Sequence, residues 1–281
     1  MSVMGNRKKT MSLKHTFQVW LYNRRRLVGY ALDALGLTMR ANRIPLFSII
    51  HPFTKRSSNY IVNLPINQGL DSVTHALPPM VVSELIRRAR YHVILDACLC
   101  RQGRDCEVHP HDIGCLFLGR SGLEVPPGYS RRVSEAEALA HVDRAVQAGL
   151  VPMTVRARVD NFAFLLPDRH TLLGVCFCCA CCCLIGNYRY VPQKHLEEIF
   201  PRLDGLEIKV SDGCIGCGAC VDTCYMRSIR VEGGRAIHAD TCRGCGRCAA
   251  ACPHGAVTIR LTDAQSLSKT VERFLDLAKI D

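Results

Sequence analysis

The chain has 281 residues, 48% of them apolar. That is enough for about two domains and a sizeable core, which excludes a disordered protein. Eighteen residues are cysteine, and the net charge is +11. Of that charge, +10 falls in residues 1–60, where eleven Lys and Arg face the single acid Asp33. A segment so basic seeks an acidic protein, an anionic lipid surface or nucleic acid. The cysteines argue against a disulfide framework. No cleavable secretory signal is evident, many stand in C-x-x-C groups, and Cys181, Cys182 and Cys183 are consecutive, with side chains that point different ways. Reduced thiolates gathering metal in the cytoplasm is the better reading.

In chain order, residues 1–15 read as disordered. A helix is expected from Thr16, with Phe17, Trp20, Leu21, Leu27, Val28, Ala31, Leu32 and Leu35 at helical spacing and Gly36 as its stop. Trp20 and the arginine triplet at 24–26 could lay it on a membrane surface. The favoured reading packs it on its own domain with the arginines in water. The same stretch faintly echoes a twin-arginine export signal, but Asp33 interrupts its apolar part. No uncharged apolar run is long enough for a transmembrane helix. Residues 1–77 form a basic arm with an amphipathic helix.

Pro78 and Pro79 open a helix through Val81, Val82, Leu85 and Ile86. "YHVILDACLCR" reads as a buried strand entering a cysteine loop. Ser134 and Glu137 form a capping box for a helix that stops at Gly149. "TVRARVD", "NFAFLLP" and "TLLGVCFC" read as strands, making residues 78–190 a cysteine-rich metal-binding α+β domain. A linker helix spans 191–205. Residues 206–262 hold "LEIKV", a hairpin at Gly233-Gly234 and "AVTIRL". An amphipathic helix closes the chain over 263–281. The fold class is therefore α+β throughout, a cysteine-rich domain followed by a second, smaller one.

The strongest signal is "CIGCGACVDTC" followed by "CRGCGRCAAAC", both spaced C-x2-C-x2-C-x3-C. The glycines between the cysteines let backbone wrap a metal centre closely. Zinc motifs instead use two C-x2-C pairs across a spacer. The stretch 206–262 resembles the bacterial-type two-cluster ferredoxin domain. That resemblance implies two 4Fe–4S clusters and single-electron transfer, with the fourth cysteine of each run serving the other cluster. Cys214, Cys217 and Cys220 would then share one cluster with Cys252, and Cys242, Cys245 and Cys248 the other with Cys224. Pro253 follows Cys252 as in that family, but Tyr225 stands where the matching proline would follow Cys224.

Ten cysteines remain. Cys98, Cys100, Cys106 and Cys115 lie in one loop, and Cys176, Cys178, Cys179, Cys181, Cys182 and Cys183 crowd into "CFCCACCC". The region is loosely similar to cysteine-rich modules that precede ferredoxin domains in iron–sulfur proteins of anaerobes. All ten are candidate metal ligands. Three readings stand. Either the two groups supply one additional iron–sulfur cluster each, or they share a single cluster and leave spare thiols, or they bind zinc with His109 and His111. Some of the six could also be core, since inert cysteine is a small buried hydrophobe. Strand alternation would turn Cys176, Cys178 and Cys182 to one face. Arg101 either tunes neighbouring thiolates or makes a surface salt bridge.

The expected function is an iron–sulfur electron-transfer protein, cytoplasmic or peripheral on the inner membrane face. It carries two C-terminal clusters, one or two additional iron–sulfur clusters in the N-terminal domain, and an acidic redox partner protein or an anionic membrane surface as its contact. The alternative is an iron–sulfur reductase whose N-terminal site reduces a substrate such as a disulfide. No flavin, nicotinamide or phosphate-loop fingerprint is present. Few aromatics and no recognition motif argue against nucleic acid.

Overall fold

Six short strands organise the first two thirds of the computed structural model, which describes residues 13–66, 77–166, 168, 170–263 and 265–281. They are β1 Tyr60–Asn63, β2 His92–Leu95, β3 Leu116–Leu118, β4 Ser130–Val133, β5 Val151–Arg156 and β6 Leu173–Cys178. They form one sheet in the order β1-β5-β6-β3-β2-β4, every neighbouring pair antiparallel. Side chains alternate across it. Leu116 and Leu118 join the core beneath helices α4 (Leu77–Arg88) and α6 (Glu135–Gln147), whereas Phe117 faces the opposite side. There Phe117 meets Phe164 edge-on, with ring centres 5.0 Å apart. With both faces covered, β1, β2, β3 and β5 are buried along their whole length. That is why β2 and β3 carry continuous apolar runs, Val93–Leu95 and Leu116–Leu118, rather than alternating ones. Ser134 caps α6 in the expected box with Glu137.

The second domain is smaller. Strand β7 (Leu206–Val210) pairs with β10 (Val257–Leu261), and β8 (Ile229–Glu232) with β9 (Arg235–His238) across Gly233-Gly234. Two one-turn helices, α9 (Ala219–Asp222) and α10 (Arg247–Ala250), sit within its cysteine runs. The last helix, α11 (Gln265–Leu277), returns to the first domain, where Phe274 packs on Tyr60 with ring centres 5.2 Å apart.

Several expectations need correction. Residues 13–40 form two helices, α1 (Leu13–Tyr22) and α2 (Arg25–Arg40), and Gly36 lies inside the second. Helix α2 persists because it is docked. Gly29 abuts Gly103 of α5 (Leu99–Gly103), where a Cβ on Gly29 would lie 2.0 Å from the Gly103 carbonyl oxygen. The segment before residue 78 is therefore no detached arm, and its β1 is an edge strand of the sheet. "NFAFLLP" is not a strand. Helix α7 spans Arg158–Phe164 and buries Asp160 and Phe164, one turn apart, before Leu165 ends it in the left-handed region at φ 53°. The linker helix is α8, Gln193–Ile199, and a further short helix, α3, spans Pro45–Ile50. Disorder over residues 1–15 concerns mostly residues 1–12, outside those described.

Candidate metal centres

In the second domain the two cysteine runs fold back on each other. One cavity is lined by Cys224, Cys242, Cys245 and Cys248. The other is lined by Cys214, Cys217, Cys220 and Cys252. Each run thus contributes three sulfurs to one cavity and its last sulfur to the other. Backbone N–H groups point at the sulfurs. Ser228 donates to Cys224 Sγ at 3.3 Å, Ala256 to Cys252 Sγ at 3.3 Å, Ala236 to Cys214 Sγ at 3.4 Å and Gly244 to Cys242 Sγ at 3.5 Å. Such donors stabilise thiolate charge and tune cluster potential. At Cys252, burial raises the thiol pKa, but N–H groups from His254 to Val257 more than offset it and hold the value below the ordinary one. Four soft sulfur donors lining one cavity, reached by close-lying glycine backbone, fit a 4Fe–4S cluster.

The two cavities differ in exposure. Cys217 and Ile215 beside the first run are open to solvent. The other cavity faces the first domain and is sewn to it. Ile66 donates its N–H to the Cys245 carbonyl at 3.1 Å. Gly246, at φ +85°, permits this approach, because a Cβ there would stand 2.0 Å from the Ile66 carbonyl oxygen. Arg247 is buried and donates from Nη2 to the carbonyls of Cys178 at 2.9 Å and Gly149 at 3.1 Å.

Cys178 belongs to the first domain's thiols, and all ten of these fall into two neighbouring sets. Cys98, Cys100, Cys115, Cys176, Cys178 and Cys183 make one. Cys183 Sγ lies 3.0 Å from Cys178 Sγ and Cys115 Sγ 3.5 Å from Cys176 Sγ, while Cys100 is hydrogen-bonded to both Cys98 and Cys183. Hydrogen bonds to a neighbouring thiol first, and burial second, push Cys98 and Cys176 well above the ordinary thiol pKa. A metal centre here must displace those protons. Cys106, Cys179, Cys181 and Cys182 make the second set.

This division crosses both sequence groups. Cys176 and Cys178 do share a face of β6, as alternation requires. Beyond residue 178 the chain turns, strand periodicity ends, and Cys182 goes to the other set while Cys183 comes back. His109 and His111 are not in that second, tight group. His111 Nε2 bonds the Cys106 carbonyl at 2.8 Å, and the His109 ring is held by Ala148 backbone. Arg101 makes no surface salt bridge. It is 1% exposed, and its guanidinium donates to the carbonyls of Pro110 and Phe177, both at 2.8 Å, and of Ile113. It thereby clamps the cysteine loop onto β6 and places positive charge beside Cys98, Cys115, Cys179 and Cys178. The sequence singled out Arg101 but missed Arg247, which sits between the candidate ligands Cys245 and Cys248 with nothing local to mark it.

Among the described residues no helix is long and apolar enough to cross a membrane. No curated protein and no solved structure matches the chain. Residues 213–260 match the family model of the 4Fe-4S dicluster domain, so iron–sulfur binding and electron transport belong to this chain.

Proposed function

We propose that this protein passes single electrons between a redox partner and a further iron–sulfur centre in its own first domain, by way of the two C-terminal sites. Cys214, Cys217, Cys220 and Cys252 hold the outer 4Fe–4S cluster. Cys242, Cys245, Cys248 and Cys224 hold the inner one. When bound, each cluster supplies one-electron oxidation and reduction. The chain supplies the rest. The exposed Cys217 and Ile215 present the outer site to an incoming protein. The six thiols around Cys178 offer soft ligands for at least one more cluster. The observation that carries this reading is the Arg247 bridge, which joins the inner cavity to the Cys178 carbonyl through one buried side chain.

The basic helices contribute a docking face. Ten of the sixteen exposed large apolar side chains among the described residues lie between Leu13 and Ile50, Phe17, Trp20, Tyr30, Leu46, Ile49 and Ile50 among them. Arg24 stacks over the Trp20 ring at 4.6 Å. Aromatic and aliphatic groups interleaved with arginine suit an anionic membrane surface, and we assign this face to one, on the inner side.

The test is iron and acid-labile sulfide analysis of anaerobically purified protein, with electron paramagnetic resonance during reductive titration. About twelve or more irons per chain, with matching sulfide and a third interacting signal, are expected at four irons per cubane. About eight irons would confine the clusters to the second domain and overturn the relay.

A further inference from the structure

The second thiol set has a different size from the cluster sites. The sulfurs of Cys106, Cys179, Cys181 and Cys182 all lie within 4.8 Å of one another, and Cys106 Sγ is 3.5 Å from Cys181 Sγ. Among the described residues no other group of three or more potential metal ligands is so tight. The ferredoxin quartets do not meet that limit, although each lines one cavity. Four sulfurs bound to one tetrahedral ion at ~2.3 Å stand roughly 3.8 Å apart by simple geometry. Sulfurs around a cubane must spread further, because an iron and the cube itself stand between them. The same structure thus holds two kinds of thiol site, one sized for a cluster and one for an ion.

The surroundings suit bound thiolates. Cys182 donates its backbone N–H to Cys179 Sγ at 3.4 Å, across a C-x-x-C turn. Val108 and His109 direct backbone N–H groups at Cys106. These donors stabilise sulfur charge while leaving lone pairs for a metal. Arg101 adds positive charge beside Cys179. Arg104 donates to the Cys182 carbonyl at 2.7 Å and pairs with Asp33 at 3.0 Å, which fixes the turn against α2.

We propose that Cys106, Cys179, Cys181 and Cys182 bind one tetrahedral divalent ion, zinc or ferrous iron, separate from every iron–sulfur cluster of the chain. Its role follows from connectivity. Cys106 lies on the loop that carries Cys98, Cys100 and Cys115. The other three lie in the turn flanked by Cys178 and Cys183. One ion would staple loop to turn and set the six remaining thiols in register. Three of its ligands are buried and Cys181 is exposed, so the ion can be reached from solvent at one vertex.

The experiment compares total metal with acid-labile sulfide in the same anaerobic sample of the full chain. Cubanes contribute iron and sulfide equally, so the proposal expects about one metal ion per chain beyond the sulfide count, with elemental analysis naming it zinc or iron. Cys181→Ala should lower metal by about one ion with sulfide unchanged. Should that variant fail to fold, the wild-type protein treated with a chromogenic chelator should release about one ion while its cluster absorption persists. Metal equal to sulfide in the wild type would overturn the proposal. So would loss of iron and sulfide together in Cys181→Ala, or chelation only in step with bleaching. None of these results depends on how many cubanes the chain carries.

Discussion

Asn63, at the end of strand β1, donates from Nδ2 to the phenolic oxygen of Tyr225 at 2.5 Å and to the Arg243 carbonyl at 3.0 Å. Tyr225 follows Cys224 directly, and its buried ring packs in a core shared with Cys178, Ile185 and Tyr188 of the first domain. Proline at this point would turn the chain from the cluster but could not reach across the interface. Tyrosine here is the wedge between the two domains. Tyr225→Phe should keep the packing and lose one buried hydrogen bond, lowering stability by about 1 kcal/mol with iron content unchanged. Tyr225→Pro should open a cavity worth about 3 kcal/mol or more. Denaturant midpoints of the two variants check the ranking, and equal midpoints would remove the wedge role.

Tyr225 also shows what the sequence can and cannot disclose. The departure from the ferredoxin pattern was visible, but its reason was not, because Asn63 lies 162 positions away. The α+β class, the capping box at Ser134 and the Gly233-Gly234 hairpin were all legible, since each rests on contacts local in the chain. The division of the ten N-terminal cysteines was not. Spacing groups Cys106 with Cys98, Cys100 and Cys115, whereas the turn after β6 brings Cys106 to Cys181 instead. Helix α7 was missed for a related reason. "NFAFLLP" is apolar enough for a strand, and the tertiary burial of Asp160 and Phe164 one turn apart decides otherwise.

Arg101 should be among the least replaceable residues of the chain. Its three carbonyl partners come from the loop at Pro110 and Ile113 and from β6 at Phe177. Arg101→Met would leave them without that donor in a buried site, a loss of about 3 kcal/mol or more. Arg101→Lys keeps the charge but lacks the planar fork that meets three oxygens at once. We expect both variants to lose metal from the first domain while the second domain keeps its iron. Unchanged metal content in Arg101→Met would show that the clamp is dispensable.

The apolar face of residues 13–50 gives a prediction that depends on salt. Full-length protein should sediment with phosphatidylglycerol vesicles and not with phosphatidylcholine vesicles. Binding should weaken as ionic strength shortens the Debye length toward and below 10 Å. At about 1 kcal/mol per basic residue near an anionic surface, replacing Arg24 and Arg26 by Gln should weaken binding roughly 30-fold. Trp20→Ala should weaken it as well, through lost apolar insertion rather than charge. Vesicle binding that ignores lipid charge would leave apolar insertion alone to carry it, and no vesicle binding at all would assign this face to a protein instead.

His141 sets an acid limit on the first domain. It is buried on α6, its Nε2 bonded to the Gly114 carbonyl at 2.8 Å and its ring edge-on to Phe177. Burial lowers its pKa below the ordinary 6.5. The Gly114 carbonyl opposes that shift, Arg144 and Arg131 assist it, and Asp112 opposes it weakly. The folded state therefore keeps the ring neutral where the unfolded chain already binds a proton. Stability is full above about pH 6.5 and is lost as pH falls toward and through the lowered folded value. His141→Gln keeps a donor for Gly114 but has no proton to gain. Its denaturant midpoint should change less between pH 7.5 and pH 5.5 than the wild-type midpoint does. Measuring both proteins at both pH values cancels the acid sensitivity that their shared thiolate centres contribute. A variant as acid-sensitive as the wild type would place the limit in the metal sites alone.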